Sequence, residues 1–251
     1  MRILLTNDDG IHAPGLDALL EALRPLGHVT VVAPDRERSA VGHALTFHSP
    51  LRVRELSGEE GLARFVTDGT PTDCVLLALY SLMPEKPDLL FSGINRGANL
   101  GDDVTYSGTV SAALEGLIHG IPSIAVSQVG RQPQHYLTAA NFAARLAERL
   151  AHHIRMPPRT LLNVNVPDLP PEAIRGVQVT RQGHSLYDQK IVKRVDPRGH
   201  EYYWVSGSMP GGNTEEGTDF RAIQEDCISV TPLQTNMTHH ALLEEIDSWG
   251  L

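Results

Sequence analysis

The chain reads as an α/β protein: a mostly parallel sheet with helices on both faces, followed by a β-rich extension. Three observations lead there. Apolar strand-type runs alternate with helical patterns through the first two-thirds. Pro or Gly punctuates several of the helical patterns at their ends. After about residue 175 the strand runs continue without intervening helices. A length of 251 residues suits one large domain, or a core with an appendage. The expected division is an α/β core at 1–175, a β-rich extension and oligomerisation element at 176–235, and a closing helix at 236–251, all one structural domain.

Each element has its own signal. Residues 2–6 (RILLT) form an apolar strand. Residues 14–25 read as a helix, with Pro14 near its start and Gly27 beyond its end. HVTVVA at 28–33 is a second strand, broken by Pro34-Asp35. Residues 45–56 and 62–67 are weaker strands. Thr70-Pro71 opens a helix to Leu82 with an apolar face at Val75, Leu76 and Leu79. PDLLFS at 87–92 is a strand. An Ala-rich helix spans 109–119 and stops at Gly120 and Pro122. SIAVS at 123–127 is a strand, a long helix runs from about 134 to 154, and LLNVNV at 161–166 ends at Pro167. Then VQVT (177–180), YYWVS (202–206) and CISVT (227–231) read as strands, with 207–219 loop-like and 239–249 helical.

The composition narrows the function. Hydrophobic residues make up 41%, enough for a sizeable core, and the net charge is -9. An acidic balance argues against a binder of polymeric nucleic acid, yet leaves room for a small phosphorylated ligand in a local site. Cys74 and Cys227 are far apart and lack metal-ligand spacing, so buried thiols in a reducing cytoplasm are expected. Arg2 leads straight into core residues, so no signal segment is expected, and no apolar run has membrane-spanning length.

The chemistry concentrates at strand ends. The first strand runs into Asn7, Asp8, Asp9 and Gly10. Two carboxylates ~4 Å apart repel by roughly 4 kcal/mol at an effective dielectric of 20. A cation or a shared proton relieves this. Gly10 allows the turn that lets both acids face one place; the plain alternative is a solvated turn. His12, three residues past Asp9, is a further candidate for substrate contact. There is neither G-x-G-x-x-G nor a P-loop motif. After the strand at 87–92 comes SGINRGANLGDDVTYSGTVSAALEG. Asn95 and Asn99 offer amide oxygens, and Asp102 and Asp103 are further acids. Ser107-Gly108-Thr109 precedes a helix whose free N–H groups and dipole suit an anion; an ordinary N-cap is the alternative for Ser107. Ser39 follows the second strand and is a plausible fourth oxygen ligand, while Asp35, Arg36 and Glu37 read as loop charges. Oxygen-only ligation favours Mg²⁺, Mn²⁺ or Ca²⁺ over zinc.

Together, TNDDGIHAPG (6–15), APDRERSAVG (33–42), DGTPTDCV (68–75), the 92–116 segment, NVNVPDL (163–169) and VTPL (230–233) resemble the survival-protein SurE family of metal-dependent nucleotidases. The resemblance implies a Rossmann-like core with a projecting β-hairpin and a C-terminal segment used in oligomer contacts, in a homodimer or homotetramer. It implies one divalent cation per subunit, Mg²⁺ or Mn²⁺, on Asp8, Asp9, Ser39 and Asn95. It gives phosphate-side contacts to Asn7, Asn99, Ser107, Gly108 and Thr109. The implied activity is release of phosphate from nucleoside 5′- and 3′-monophosphates, with Asp8 and Asp9 as the catalytic pair. Whether water or a carboxylate attacks stays open. Two rival readings of the residues are a receiver-like signalling domain and a non-catalytic metal or nucleotide-binding module. The first lacks a Lys after an early strand. A haloacid-type phosphatase is disfavoured, because its acids are separated by one residue.

Overall fold

The computed structural model describes residues 1–153, 155–207 and 211–250. In chain order, β1 (Arg2–Thr6), α1 (Pro14–Leu23), β2 (His28–Pro34), β3 (Val53–Glu59), β4 (Leu62–Thr67), α2 (Pro71–Leu77), β5 (Leu89–Arg96), α3 (Gly108–Ile118), β6 (Ser123–Gln128), α4 (Tyr136–His152) and β7 (Leu161–Val166) come first. They are followed by β8 (Gly176–Val179), β9 (Ser185–Leu186), β10 (Gln189–Val195), β11 (Glu201–Gly207), β12 (Gly211–Gly212), α5 (Asp219–Gln224), β13 (Cys227–Leu233) and α6 (Leu243–Asp247).

The central sheet runs β3-β4-β2-β1-β5-β6-β7-β13-β8. The six strands from β4 to β7 are parallel neighbours; β3 lies antiparallel to β4, and β13 antiparallel to β7. Counting only the six parallel strands, the order is the doubly wound one, with its reversal between β1 and β5. Ligands of such sheets sit outside the carboxyl ends of the strands at that reversal.

Strand alternation divides the core between two faces. Ile3 and Leu5 of β1 pack with Leu16, Leu19 and Leu20 of α1 and with Ala139, Ala140 and Ala143 of α4. Leu4 points the other way, onto Cys74 and Val75 of α2 and Val110 and Ala113 of α3. Small residues set the close approaches. A Cβ on Gly116 of α3 would lie 2.4 Å from Ser123 Oγ and 2.7 Å from Leu90 Cδ1. The N-terminus of α2 carries a capping box: Thr70 Oγ1 accepts from the Asp73 N–H, and Asp73 accepts from the Thr70 N–H.

Several elements differ from the sequence reading. The strand expected over 45–56 begins only at Val53. Upstream, Thr46 donates both its N–H and its hydroxyl to Asp73, so this stretch serves the start of α2 rather than a sheet. The 70–82 helix is regular to Leu77 and widens into a π-type turn over Ala78–Leu82. The long helix runs over Tyr136–His152, and Ile154, its expected end, lies outside the described residues. The 176–235 stretch is shared. β8 and β13 join the central sheet, whereas β10 and β11 form a separate antiparallel hairpin. The stretch 181–200, polar in sequence, holds β10, which takes its strand form from seven paired positions along β11.

Candidate metal and phosphate site

β1 pairs with β5 from Ile3↔Leu89 to Thr6↔Ser92. Residues 7–9 therefore leave the sheet beside the last turns of β5. There the β5–β6 register slips between Gly93 and Asn95, so Ile94 is an extra residue. Such a bulge re-aims the side chain that follows it, here Asn95. A Cβ on Gly93 would come within 2.2 Å of Val126 O, which explains why glycine stands at the slip. Gly10 has φ +102° and lies against the Arg36 backbone; it turns the chain immediately after the two acids.

Asp8 is 6% exposed. Its Oδ1 accepts the hydroxyl of Thr109, and the Thr109 N–H also supports it. Burial pushes the Asp8 carboxyl up to about 6, against the lowering effect of Thr109, and the charge of Asp9 adds to the rise. Asp9 is half-buried and likewise raised, first by burial; the Arg96 N–H, donated to Asp9 Oδ2 at 2.8 Å, works the other way. Two adjacent carboxylates with raised proton affinity mark a place where negative charge is incompletely compensated.

The other expected ligands are neighbours in sequence of residues that bond the two acids. The Arg38 N–H donates to Asp8 O at 2.7 Å, which fastens the loop carrying Ser39 to the first carboxylate. Ser39 is exposed, and its hydroxyl donates to Glu37 Oε1 at 2.6 Å. The amide nitrogen of Asn95 donates to Gly97 O at 2.9 Å, leaving its oxygen as the end that can meet a cation. Among the described residues, no three His, Cys, Asp or Glu side chains gather as a metal cluster. A cation here would rest on two carboxylates and the neutral oxygens of Ser39 and Asn95. That all-oxygen set fits a hard divalent ion and does not fit a thiophilic one.

The phosphate-side candidates divide. Gly108 is needed by contact: a Cβ there would lie 2.9 Å from Asp8 Cβ and 3.0 Å from Asp8 Oδ2. Ser107 Oγ accepts from the Val110 N–H at 3.1 Å, which is the capping role. Asn7 is fully buried, and its amide closes the turn by donating to Gly10 O and accepting from Gly10 N–H. Asn99 sits in a buried amide network. Its N–H donates to Asn165 Oδ1, its Nδ2 donates to Ser127 Oγ, and its carbonyl accepts from Asn163 and Asn165. His12 is exposed. Asp102 and Asp103 face away to chemistry of their own, accepting from the Ser185 N–H and the Tyr187 hydroxyl.

Sequence reading passed over Arg96, and it took Glu37 for an ordinary loop charge. Here Arg96 Nη2 donates to Glu37 Oε2 at 2.8 Å. It also missed Asn163 and Asn165. Their spacing of two in a buried strand, which puts both on one face, was the available signal.

This arrangement has relatives. The family model described as survival protein SurE matches residues 3–189. A 5′-nucleotidase SurE of Geobacter sulfurreducens is 56% identical, with 100% of this chain and 94% of the relative covered. One of Pelobacter propionicus is 53% identical, covering 99% of each. The crystal structure of the SurE protein from Aquifex aeolicus is similar at a TM-score of 0.86 and 44% identity, over 100% of both chains.

Proposed function

Because this chain belongs to the survival protein SurE family, we propose that it is a 5′-nucleotidase: a divalent-metal-dependent phosphomonoesterase that hydrolyses nucleoside 5′-monophosphates, and 3′-monophosphates as well. The observation that carries this reading is the pairing of Asp8 with the first turn of α3, at the sheet reversal and beside Asp9. Asp8, Asp9, Ser39 and Asn95 would hold one Mg²⁺ or Mn²⁺. When bound, such an ion supplies Lewis-acid polarisation of the phosphoryl group and activation of water.

The chain's own residues set the geometry. Thr109 fixes one oxygen of Asp8, leaving Oδ2 for the ligand side. Arg96 N–H does the same for Asp9. In this reading the first-turn amides of α3 would supply positive potential to the transferring phosphoryl group. Gly108 lets that turn approach the carboxylate. Asn99, held by Ser127 and Asn165, would orient a phosphate oxygen in this reading. Asp8 and Asp9 form the catalytic pair in this reading, with water as the attacking group.

The β10–β11 hairpin exposes Tyr203, Trp204 and Val205 at 57, 63 and 74%. These exposed side chains, Trp204 on one face of the strand and Tyr203 and Val205 on the other, support assembly as a homodimer or homotetramer. Two buried free cysteines fit a cytoplasmic setting. No helix among the described residues is long and apolar enough to cross a membrane.

The test is phosphate release from a panel of nucleoside 5′- and 3′-monophosphates, first with EDTA and then with Mg²⁺ or Mn²⁺ restored. Turnover that chelation abolishes and either ion recovers is the expected result. Activity indifferent to chelation removes the metal from the reading.

A further inference from the structure

We infer that Glu37 is a positioning residue for the cation site, acting through Ser39 and restrained by Arg96. The inference rests on the metal site proposed above. A serine oxygen ligates weakly while its own proton is unplaced, because the hydroxyl has one donor and two lone pairs to distribute. Here the proton is placed. Ser39 Oγ donates to Glu37 Oε1 at 2.6 Å, within the range of a charge-assisted O–H···O⁻ bond. Both lone pairs of Ser39 are thereby free for a ligand. The second oxygen, Oε2, accepts from Arg96 Nη2 at 2.8 Å, so both ends of the carboxylate are fixed.

Arg96 ties this arrangement to the paired acids. Its backbone N–H donates to Asp9 Oδ2, while its guanidinium is turned onto Glu37. One residue thus links the end of β5, the loop after β1 and the loop after β2, each of which carries an expected ligand. Glu37 and Arg96 are each about half exposed, so the pair contributes little to folding stability. Its effect is therefore expected in ligand affinity.

The experiment is direct Mn²⁺ titration of the full chain, read by electron paramagnetic resonance of the free ion, with no substrate present. Glu37→Ala is expected to weaken Mn²⁺ binding about tenfold, at the low end of what outer-shell partners of a metal ligand deliver. Glu37→Gln keeps an acceptor for the Ser39 proton and is expected to recover most of that loss. Ser39→Ala weakens binding too, and adding Glu37→Ala to it should cost little more, since both act through one oxygen. Wild-type affinity in Glu37→Ala, additive losses in the double variant, or no recovery in Glu37→Gln would each overturn the inference. Asp8→Asn separates the two levels. If it binds Mn²⁺ as the parent does, the cation site itself is wrong; if it loses binding while Glu37→Ala keeps it, only the role of Glu37 fails.

Discussion

Thr109 donates its hydroxyl proton to Oδ1 of Asp8, across 101 positions of sequence. One buried carboxylate is thus shared between the end of β1 and the start of α3. This contact neutralises part of the charge without removing it, since burial still raises Asp8 to about 6.

Asp8→Asn should therefore abolish function and stabilise the metal-free fold. The native state binds the Asp8 proton more tightly than the unfolded chain does. The contribution of this group is most favourable below the ordinary carboxylate value of 3.8 and is lost as pH rises through about 6. At neutral pH the ionised group costs on the order of 3 kcal/mol. Thermal unfolding in EDTA at pH 7.5 should show a higher midpoint for Asp8→Asn than for the parent. Phosphate release should fall by about a hundredfold or more, the equivalent of ~3 kcal/mol of lost transition-state stabilisation. A lower midpoint with retained turnover would contradict both halves.

Gly108→Ala tests the close approach. In a helix interior this change is stabilising by up to ~1 kcal/mol through propensity alone. At this position the new methyl would sit 2.9 Å from Asp8 Cβ. The expected outcome is more than tenfold weaker turnover with helical circular dichroism unchanged. Activity equal to the parent would show that the contact yields without consequence.

Asn165→Ala removes the side chain that accepts from the Asn99 N–H and donates to its carbonyl. Buried backbone groups left without partners cost about 1–3 kcal/mol. Urea midpoints should fall accordingly, and kcat/KM should fall with them if Asn99 orients substrate. Asn163 continues to donate to the Asn99 carbonyl in this variant, so the lost N–H acceptor is what the measurement reads.

Glu115 provides a pH handle away from the acid pair. Its oxygens meet His43 Nε2 at 2.7 Å and His119 Nε2 at 2.9 Å, and the bond with His43 chiefly holds its carboxyl below the ordinary 4.5. A depressed carboxylate stabilises above its unfolded value, and that contribution is lost as pH falls through the folded one. The stability gap between parent and Glu115→Gln should close as pH falls below about 5. A gap that widens in acid would reverse the sign. His43 lies on the loop that also carries Ser39, so the variant should loosen that loop at neutral pH as well.

Trp204→Ser addresses assembly. Trp204 is 63% exposed on β11. If the hairpin joins copies of the chain, light scattering should show a smaller species for the variant with its core fold retained. An unchanged mass would place the interface elsewhere.

Much of the frame was legible because it is local. RILLT alternates across the sheet, Thr70-Pro71 caps α2 as its sequence indicates, and Asp8-Asp9 follows a strand end where such sheets bind ligands. Where a segment's state depends on a distant partner, the sequence was silent or misleading. Residues 45–52 look strand-like, yet the strand begins only at Val53, and Thr46 instead bonds Asp73 at the start of α2. Residues 189–195 look merely polar, yet they pair with β11.

The same division holds at the site. Residue types and spacing put candidate oxygen ligands at the ends of β1, β2 and β5, and a helix start at Ser107–Thr109. Only the tertiary structure decided what each one does. It turned Asn7 inward to close its own loop, made Ser107 a cap, set Thr109 on Asp8, and drew Glu37 and Arg96 into the circle. The physical reason is range. Propensity and periodicity act over one turn or one strand, whereas hydrogen bonds spanning 59, 87 and 101 positions exist only after the sheet has brought its strand ends together.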